Sequence, residues 1–265
     1  MDLVVIRGGG DIGSGIAHRL FMSGYKVAVL EIEKPSSIRR EVSFSEAIYR
    51  NEIIVEGIKG VFVKDYKSIK EEIEGGNIPV YIDEKGSIIE KLKPLAVVDA
   101  IIAKKNLGTS KQLALITIGV GPGFEGGIDV DLVVESKRGH YLGKVIFKGR
   151  AAENTGVPGE VMGYTEERIV RAPKSGLVKS FYKIGDKVKI GDTICQVDKE
   201  EVIAQTSGIL RGMIKDGLFV KEGLKIGDVD PRGIRDYAFT ISDKARAIGG
   251  GVLEGIQYLR KERGI

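Results

Sequence analysis

Residues 2–7 form an apolar run that ends in three glycines, the pattern of a short parallel strand buried on both faces. Apolar residues then recur at helical spacing at Ile12, Ile16, Ala17, Leu20 and Phe21, which predicts a helix over 12–23. Gly24 stands where a left-handed glycine ends such a helix. Residues 26–32 read as a second strand, closing a β–loop–α–β unit within about thirty residues. The alternation continues with helices over 43–49 and 66–73 and strands over 60–63, 78–82, 95–100 and 113–118. Short connections between alternating strands and helices imply an open parallel sheet with helices on both faces.

Beyond Gly163 the rhythm changes. Residues 168–231 hold short strand-like pieces broken by Gly, Pro, Asp and Lys, with little helical periodicity. Lys189-Ile190-Gly191-Asp192 recurs as Lys225-Ile226-Gly227-Asp228, and Ser175-Gly176-Leu177-Val178 recurs loosely as Ser207-Gly208-Ile209-Leu210. These echoes predict a small β-module with pseudo-two-fold symmetry. Helical spacing returns over 242–260 through Ala245, Ile248, Val252, Leu253, Ile256 and Leu259, with Ser242 as the N-cap. Gly249, Gly250, Gly251 and Gly255 cost this helix roughly 1 kcal/mol each against alanine. That cost makes sense if the helix packs very closely on another element.

Composition narrows the classes. The 265 residues, 42% hydrophobic and 29% charged, suffice for a buried core and are ordinary for a soluble globular protein. No run approaches the ~18 apolar residues of a membrane span. The opening residues lack a basic segment and read at once as a strand, so a secretory signal is not expected. The single cysteine, Cys195, excludes an internal disulfide framework and favours a reducing cytoplasm; it reads as a buried small residue rather than a reactive thiol. The 41 basic and 37 acidic residues are mixed along the chain, and aromatics make up only 6%, so no nucleic-acid partner is expected. Only four Asn and four Gln stand beside many Lys, Glu and Ile, a composition that hints at a heat-adapted source.

The main candidate chemistry lies at the first strand–helix junction. Gly8-Gly9-Gly10-Asp11-Ile12-Gly13 matches G-x-G-x-x-G, and it follows a strand and opens a helix as the dinucleotide fingerprint requires. Gly8 permits the tight turn, Gly10 lets the backbone approach a pyrophosphate, and Gly13 lets helix and strand pack closely. The N–H groups at the helix start favour the phosphate charge. Glu31, eighteen residues beyond Gly13, stands where a carboxylate accepts hydrogen bonds from a ribose and repels a 2′-phosphate. NAD is therefore favoured over NADP, with Lys34, Arg39 and Arg40 near enough in sequence to weaken the preference. FAD and S-adenosylmethionine remain alternatives.

A second glycine-rich stretch, Gly119 to Gly127, follows the strand at 113–118, where open α/β sheets bind ligands. Gly121, Gly123 and Phe124 are its candidate contacts, joined by Arg138, His140 and Asn154 downstream. His140 and Lys104 are the candidate acid–base residues. No spacing of His, Cys and carboxylates suggests a metal site, and no triad is apparent.

Residues 171–208 resemble a lipoyl/biotinyl-type barrel-sandwich module, with Asp198-Lys199 imitating the carrier lysine. The segments flanking Lys199 are about two residues shorter than in lipoyl domains, so a stubby hairpin and no lipoate or biotin are expected. The fold class is thus read as α/β. A Rossmann-like domain spans residues 1–165, a barrel-sandwich-like module spans 166–233, and a C-terminal helix spans 234–265, packing on the first domain or a partner subunit.

The order of motifs resembles the YqeB-type accessory proteins of selenium-dependent molybdenum hydroxylases, related in role to the XdhC/CoxI maturation factors. The resemblance runs end to end. Its stretches begin at Arg7-Gly8-Gly9-Gly10-Asp11-Ile12-Gly13, Ile38-Arg39-Arg40-Glu41 and Val98-Asp99-Ala100-Ile101-Ile102-Ala103-Lys104-Lys105-Asn106. Further stretches begin at Gly121-Pro122-Gly123-Phe124, Glu135, Asn154, Asp228-Val229-Asp230-Pro231-Arg232 and Ser242. Ser136 stands where the resemblance leads one to expect threonine. The resemblance implies a cytoplasmic helper that matures or inserts the molybdenum cofactor. Its expected ligand is a nucleotide-bearing molybdopterin or a dinucleotide, and its expected partner a molybdenum hydroxylase or the cofactor-assembly machinery. A homo-oligomer is compatible with it. An NAD(P)-dependent oxidoreductase is the alternative, and a lysine carrier the third.

Overall fold

The computed structural model describes every residue except Met1, Asn154, Thr155, Val157 and Pro158. It divides into two compact units. The first comprises residues 1–35, 43–154 and 241–265, and the second residues 36–42 and 155–240.

In the first unit, β1 (Leu3–Arg7), α1 (Asp11–Met22) and β2 (Lys26–Glu31) follow the apolar spacing of the sequence. The expected helix over 43–49 is instead a 3-10 turn (Phe44–Glu46) followed by a short α2 (Ala47–Arg50). Tertiary bonds fix the start of this turn. The Ser45 N–H donates to Gly9 O at 2.9 Å and the Phe44 N–H to Ser14 Oγ at 2.7 Å. Next come β3 (Glu52–Val55) and β4 (Ile58–Val63), joined by a two-residue turn with Glu56 and Gly57 both in the left-handed region. They are followed by α3 (Tyr66–Glu74), β5 (Ile78–Ile82), α4 (Ile89–Leu92) and β6 (Ala96–Asp99). The strands β7 (Ile116–Val120), β8 (Leu132–Val134) and β9 (Val145–Ile146) complete the sheet.

The nine strands lie in the order β3-β4-β5-β2-β1-β6-β7-β8-β9. Pairing is parallel from β4 through β8, with β3 and β9 antiparallel at the two edges. From β1 the chain builds outward on the β2 side and returns to β6 on the other. The strand order therefore reverses between β1 and β6, and the ends of these two strands face a crevice of the kind where open sheets hold ligands. One sheet face carries Leu3, Val5, Ala28, Leu30 and Val97 against Ile69, Ile73 and Ile89 of α3 and α4.

The last helix, α5 (Asp243–Arg263), belongs to this same unit, and Ser242 Oγ caps it by accepting the Ala245 N–H at 3.1 Å. Three of its four glycines sit at close approaches. A Cβ on Gly249 would stand 3.1 Å from Gly15 O of α1, one on Gly251 would overlap Gly143 O, and one on Gly255 would lie 2.8 Å from Leu132 Cδ2. Gly250 meets nothing. On the α1 side, Gly15 is equally tight, its Cβ falling 2.6 Å from Ala245 Cβ.

The second unit consists of two four-stranded antiparallel sheets. Their strands are β10 (Ile169–Arg171), β11 (Gly176–Ser180), β12 (Lys187–Val188), β13 (Thr193–Val197), β14 (Glu200–Ile203), β15 (Gly208–Met213), β16 (Phe219–Val220) and β17 (Lys225–Asp230). One sheet runs β10-β17-β15-β12 and the other β14-β13-β11-β16. The starts of β11, β12 and β13 recur 32 residues later as β15, β16 and β17. The exchange is reciprocal: Gly176 pairs with Val220, and Gly208 pairs with Val188. The Ser-Gly echo of the sequence keeps this offset. The Lys-Ile-Gly-Asp echo does not: Lys189–Asp192 is a turn around left-handed Gly191, whereas Lys225–Asp228 lies in β17. The true counterpart of that turn is Lys221–Leu224, around left-handed Gly223. Between β13 and β14 the turn is two residues, Asp198 and Lys199. Asp198 is tied back by accepting the Leu177 N–H at 2.9 Å, and Lys199 is exposed.

Two outcomes are expected. Gly251→Ala forces a methyl onto the Gly143 carbonyl and should destabilise the chain by about 1–3 kcal/mol. Urea unfolding checks this; an unchanged midpoint would mean the helix seats elsewhere. Cys195 is fully buried, and burial pushes its thiol up to about 12. It should resist a thiol reagent in the native state at pH 8 and react only on denaturation.

Candidate functional site

The chain leaves β1 at Arg7 and turns at Gly8, whose φ of +95° suits glycine. A Cβ on Gly8 would lie 2.9 Å from both Ala100 O and Ile101 Cα. One on Gly9 would lie 2.9 Å from Ser45 N and Val29 Cγ1, and one on Gly13 would overlap Gly8 O. Gly13 thus lets α1 start directly against the turn. Gly10 is the helix N-cap in an extended conformation (φ −66°, ψ −176°) that any residue adopts. With Asp11 and Ile12 it is half-buried, the least buried part of the loop. The first N–H groups of α1 have no acceptor inside the helix and lie at its positive end.

Glu31, the last residue of β2, reaches this loop. Its Oε2 accepts the Gly9 N–H and its Oε1 the Ile32 N–H, each at 2.8 Å. Burial pushes its carboxyl above the ordinary range, and the two N–H bonds act in the opposite direction. A carboxylate has about four acceptor sites, so two bonds leave it capacity for a hydroxyl donor.

The segment that follows β6 carries a polar anchor absent from the expected site. Arg7 pairs in register with Asp99, and both side chains are almost fully buried. Arg7 Nη1 donates to Thr109 Oγ1 at 2.6 Å, and the Thr109 hydroxyl donates to Asp99 Oδ2 at 2.6 Å. Asp99 Oδ1 accepts the Ile101 N–H at 3.1 Å. Asn106 Oδ1 then accepts the Gly108 and Thr109 N–H groups. Both ends of residues 100–109 are therefore held, and between them Ile102 and Lys104 take left-handed φ values of 59° and 63°. A β-branched residue in that region is an outlier, retained only where the surroundings over-determine it.

The middle glycines meet this same segment. Gly123, at φ +112°, packs so closely that a Cβ would lie 2.7 Å from Lys105 N, and a Cβ on Gly121 would overlap Ser136 Oγ. Gly8, Gly9, Gly10, Gly121 and Gly123 therefore stand at the ends of nearby strands β1 and β7, with the 100–109 segment in contact with both turns.

The other expected contacts are placed differently. Phe124 is buried, stacked on Gly119 and clustered with Val130, Val133 and Ala151, so it is a core residue. Arg138 is held by Asp243 through two bonds of 2.6 and 2.9 Å at the start of α5. His140 is exposed and meets Tyr141 edge-to-face at 4.9 Å. Arg39 belongs to the second unit, where its Nη2 donates to Tyr237 O and Thr240 O at 2.9 and 2.8 Å. Lys104 is exposed, and Asn154 lies outside the described residues. Among the described residues, no three His, Cys, Asp or Glu side chains cluster to hold a metal ion.

No family model matches the chain. One curated protein does. Over 258 residues the chain is 50% identical to YqeB of Escherichia coli K12, itself described as uncharacterized. The match takes in 97% of this chain and 48% of that protein, so the chain spans about half the length of this relative. Among solved structures, the ectoine utilization protein EutE of Ruegeria pomeroyi is 10% identical with a TM-score of 0.27, covering 86% of this chain and 85% of that one. An aspartoacylase family protein of Mesorhizobium loti is 8% identical with a TM-score of 0.26, covering 86% and 84%. Likenesses this low carry no argument about fold or function.

Arg7→Met leaves the Asp99 carboxylate buried without its guanidinium. The expected loss is about 3–5 kcal/mol in equilibrium unfolding. A loss under about 1 kcal/mol, the range of exposed pairs, would show that the cluster is not an anchor.

Proposed function

We propose that the first unit is a Rossmann-like nucleotide-binding domain and that the chain is an accessory or maturation factor for a molybdenum hydroxylase. In this reading it holds a dinucleotide or the nucleotide-bearing molybdopterin cofactor. The observation that carries the nucleotide part is the Gly8–Gly13 turn, which opens a twelve-residue helix at the point where the strand order reverses. The loop suits a pyrophosphate in this reading: Gly8 and Gly13 bring backbone against backbone, and Gly10 adds no side chain at the half-buried N-cap. The Gly10, Asp11 and Ile12 region would hold the phosphates and Glu31 the ribose. The molybdenum part rests only on the run of motifs from Arg7 to Ser242 that resembles the YqeB-type proteins; the 50% identity to YqeB, itself uncharacterized, bears on that resemblance and not on the role. The partner in this reading is the hydroxylase or its cofactor-assembly machinery. The second unit is read as a barrel-sandwich-like docking module in which Lys199 stays unmodified. No helix among the described residues is long and apolar enough to cross a membrane.

One observation favours a second reading. Glu31 at the ribose position suits NAD, so an NAD-dependent oxidoreductase remains the competing function, with Lys104 or His140 as proton donor.

Thermal unfolding against NAD(H), NADP(H), AMP, CTP, FAD, S-adenosylmethionine and molybdopterin forms tests both. A ligand at a hundred times its dissociation constant adds about 2.7 kcal/mol, which raises Tm by roughly 5–10 °C. A shift with a molybdopterin form is expected, and Gly10→Trp should abolish it; the unliganded Tm of the variant checks that the fold is kept. A shift that survives Gly10→Trp places the ligand elsewhere, and a response to NAD(H) alone favours the oxidoreductase.

A further inference from the structure

Two stretches of the sequence, Ile38-Arg39-Arg40-Glu41 and Asp228-Val229-Asp230-Pro231-Arg232, belong to the second unit and take no part in the Gly8–Gly13 turn. Within that unit they meet around Arg211. β15 pairs Leu210 with Val229 and Gly212 with Asp228, so Arg211 is the extra residue of a β-bulge, a device that re-aims a side chain. Tyr237, in the 3-10 turn Arg235–Ala238, gathers three guanidinium groups. Its carbonyl accepts Arg39 Nη2 at 2.9 Å and Arg211 Nε at 3.2 Å, and the Arg232 guanidinium lies over its ring at 4.4 Å. The two aspartates beside them are already engaged. Asp230 accepts bonds of 2.9 and 2.6 Å from Arg232, and Asp228 is bonded by Arg168. Arg211 comes no nearer than 3.7 Å to Asp230 and 4.0 Å to Asp228. Its Nη1 and Nη2 thus donate no hydrogen bond among the described residues, although only 14% of the side chain is exposed. Burial, together with the charges of Arg39 and Arg232, pushes its pKa below the ordinary arginine value, and Asp228 and Asp230 act in the opposite direction.

Buried donors without an acceptor cost stability, and a guanidinium fork is shaped for two oxygens of one anion. The Arg232 side chain is 36% exposed, so the cluster borders solvent and a small ligand can reach it. We propose that Arg211, with Arg39 and Arg232 beside it, binds the phosphate group of a small phosphate monoester. A carboxylate would satisfy one fork. A phosphate monoester adds a third oxygen and a second negative charge, which suits neighbouring arginines that approach from two other segments. Arg168 and Tyr237 are positioning residues: the first holds Asp228, and the second holds the guanidinium groups side by side. This site lies wholly in the second unit and stands whether or not the Gly8 turn of the first unit binds a nucleotide.

Amide NMR titration of the full chain tests this, with inorganic phosphate, glycerol 3-phosphate and acetate as probes and chloride holding the ionic strength constant. In wild type, both phosphates should shift the amides of residues 209–213 and 235–240 saturably, with a midpoint near or below about 5 mM. Acetate should bind at least about tenfold more weakly. Arg211→Gln should weaken phosphate binding by about tenfold or more. Arg211→Lys keeps the charge beside Asp228 and Asp230, and with it the fold, but loses the fork; it should weaken binding by about threefold or more. Four results would overturn the site: no saturable shift in wild type, shifts confined to residues 8–13, acetate binding as tightly as phosphate, or equal midpoints in wild type and Arg211→Lys. Binding of inorganic phosphate without glycerol 3-phosphate would overturn the monoester as its ligand.

Discussion

The first unit depends on one backbone approach. Gly13 lies so close to the Gly8 carbonyl that no side chain fits, and a Cβ on Gly8 would lie 2.9 Å from Ala100 O. The first contact lets α1 begin against the end of β1; the second draws the chain leaving β6 to the same point. From there the packing propagates. α1 seats α5 through Gly15 and Ala245, and α5 reaches Gly143 and Leu132 through Gly251 and Gly255. A helix formed by the last residues of the chain thereby covers a sheet begun by the first. Glycines that weaken α5 as an isolated helix let it approach its neighbours closely enough to gain dense packing.

Charge is used in two ways. Arg7 and Asp99 are almost wholly buried, and such a pair adds little net stability against apolar groups of the same size. What it supplies is a defined geometry, because Thr109 and Ile101 complete the bonding of Asp99. In the second unit, Asp228 and Asp230 play a comparable part, bridged by Arg168, Arg211 and Arg232 beside β17. By contrast, pairs such as Lys67 with Glu71 lie on the surface and contribute a few tenths of a kcal/mol at most.

The two glycine-rich stretches belong together because of a segment outside both. Residues 100–109 touch both, and the buried Arg7–Thr109–Asp99 chain keeps them in place. Phe124 serves the packing under the second stretch, and Arg138 holds the start of α5. The carboxylate bonded to the turn that opens α1 is Glu31, fixed by the Gly9 N–H.

Local pattern alone determined much of the first unit. The positions of β1, α1, β2, α3 and β5, the Gly8–Gly13 turn and the Ser242 cap all follow from period, turn chemistry and capping, which act over a few residues. The Ser-Gly echo of the second unit also revealed its 32-residue repeat, while the identical Lys-Ile-Gly-Asp strings misled, since one is a turn and the other a strand. Tertiary structure decided what depends on residues far apart in the chain. It made 43–49 a 3-10 turn and a short helix, with the N–H groups at the start of the turn bonded to Gly9 and Ser14. It assigned residues 36–42, and Arg39 with them, to the second unit. It paired Arg7 with Asp99 and Thr109, about a hundred residues away, because parallel neighbours β1 and β6 end side by side. No local pattern encodes such a meeting; the sheet order does.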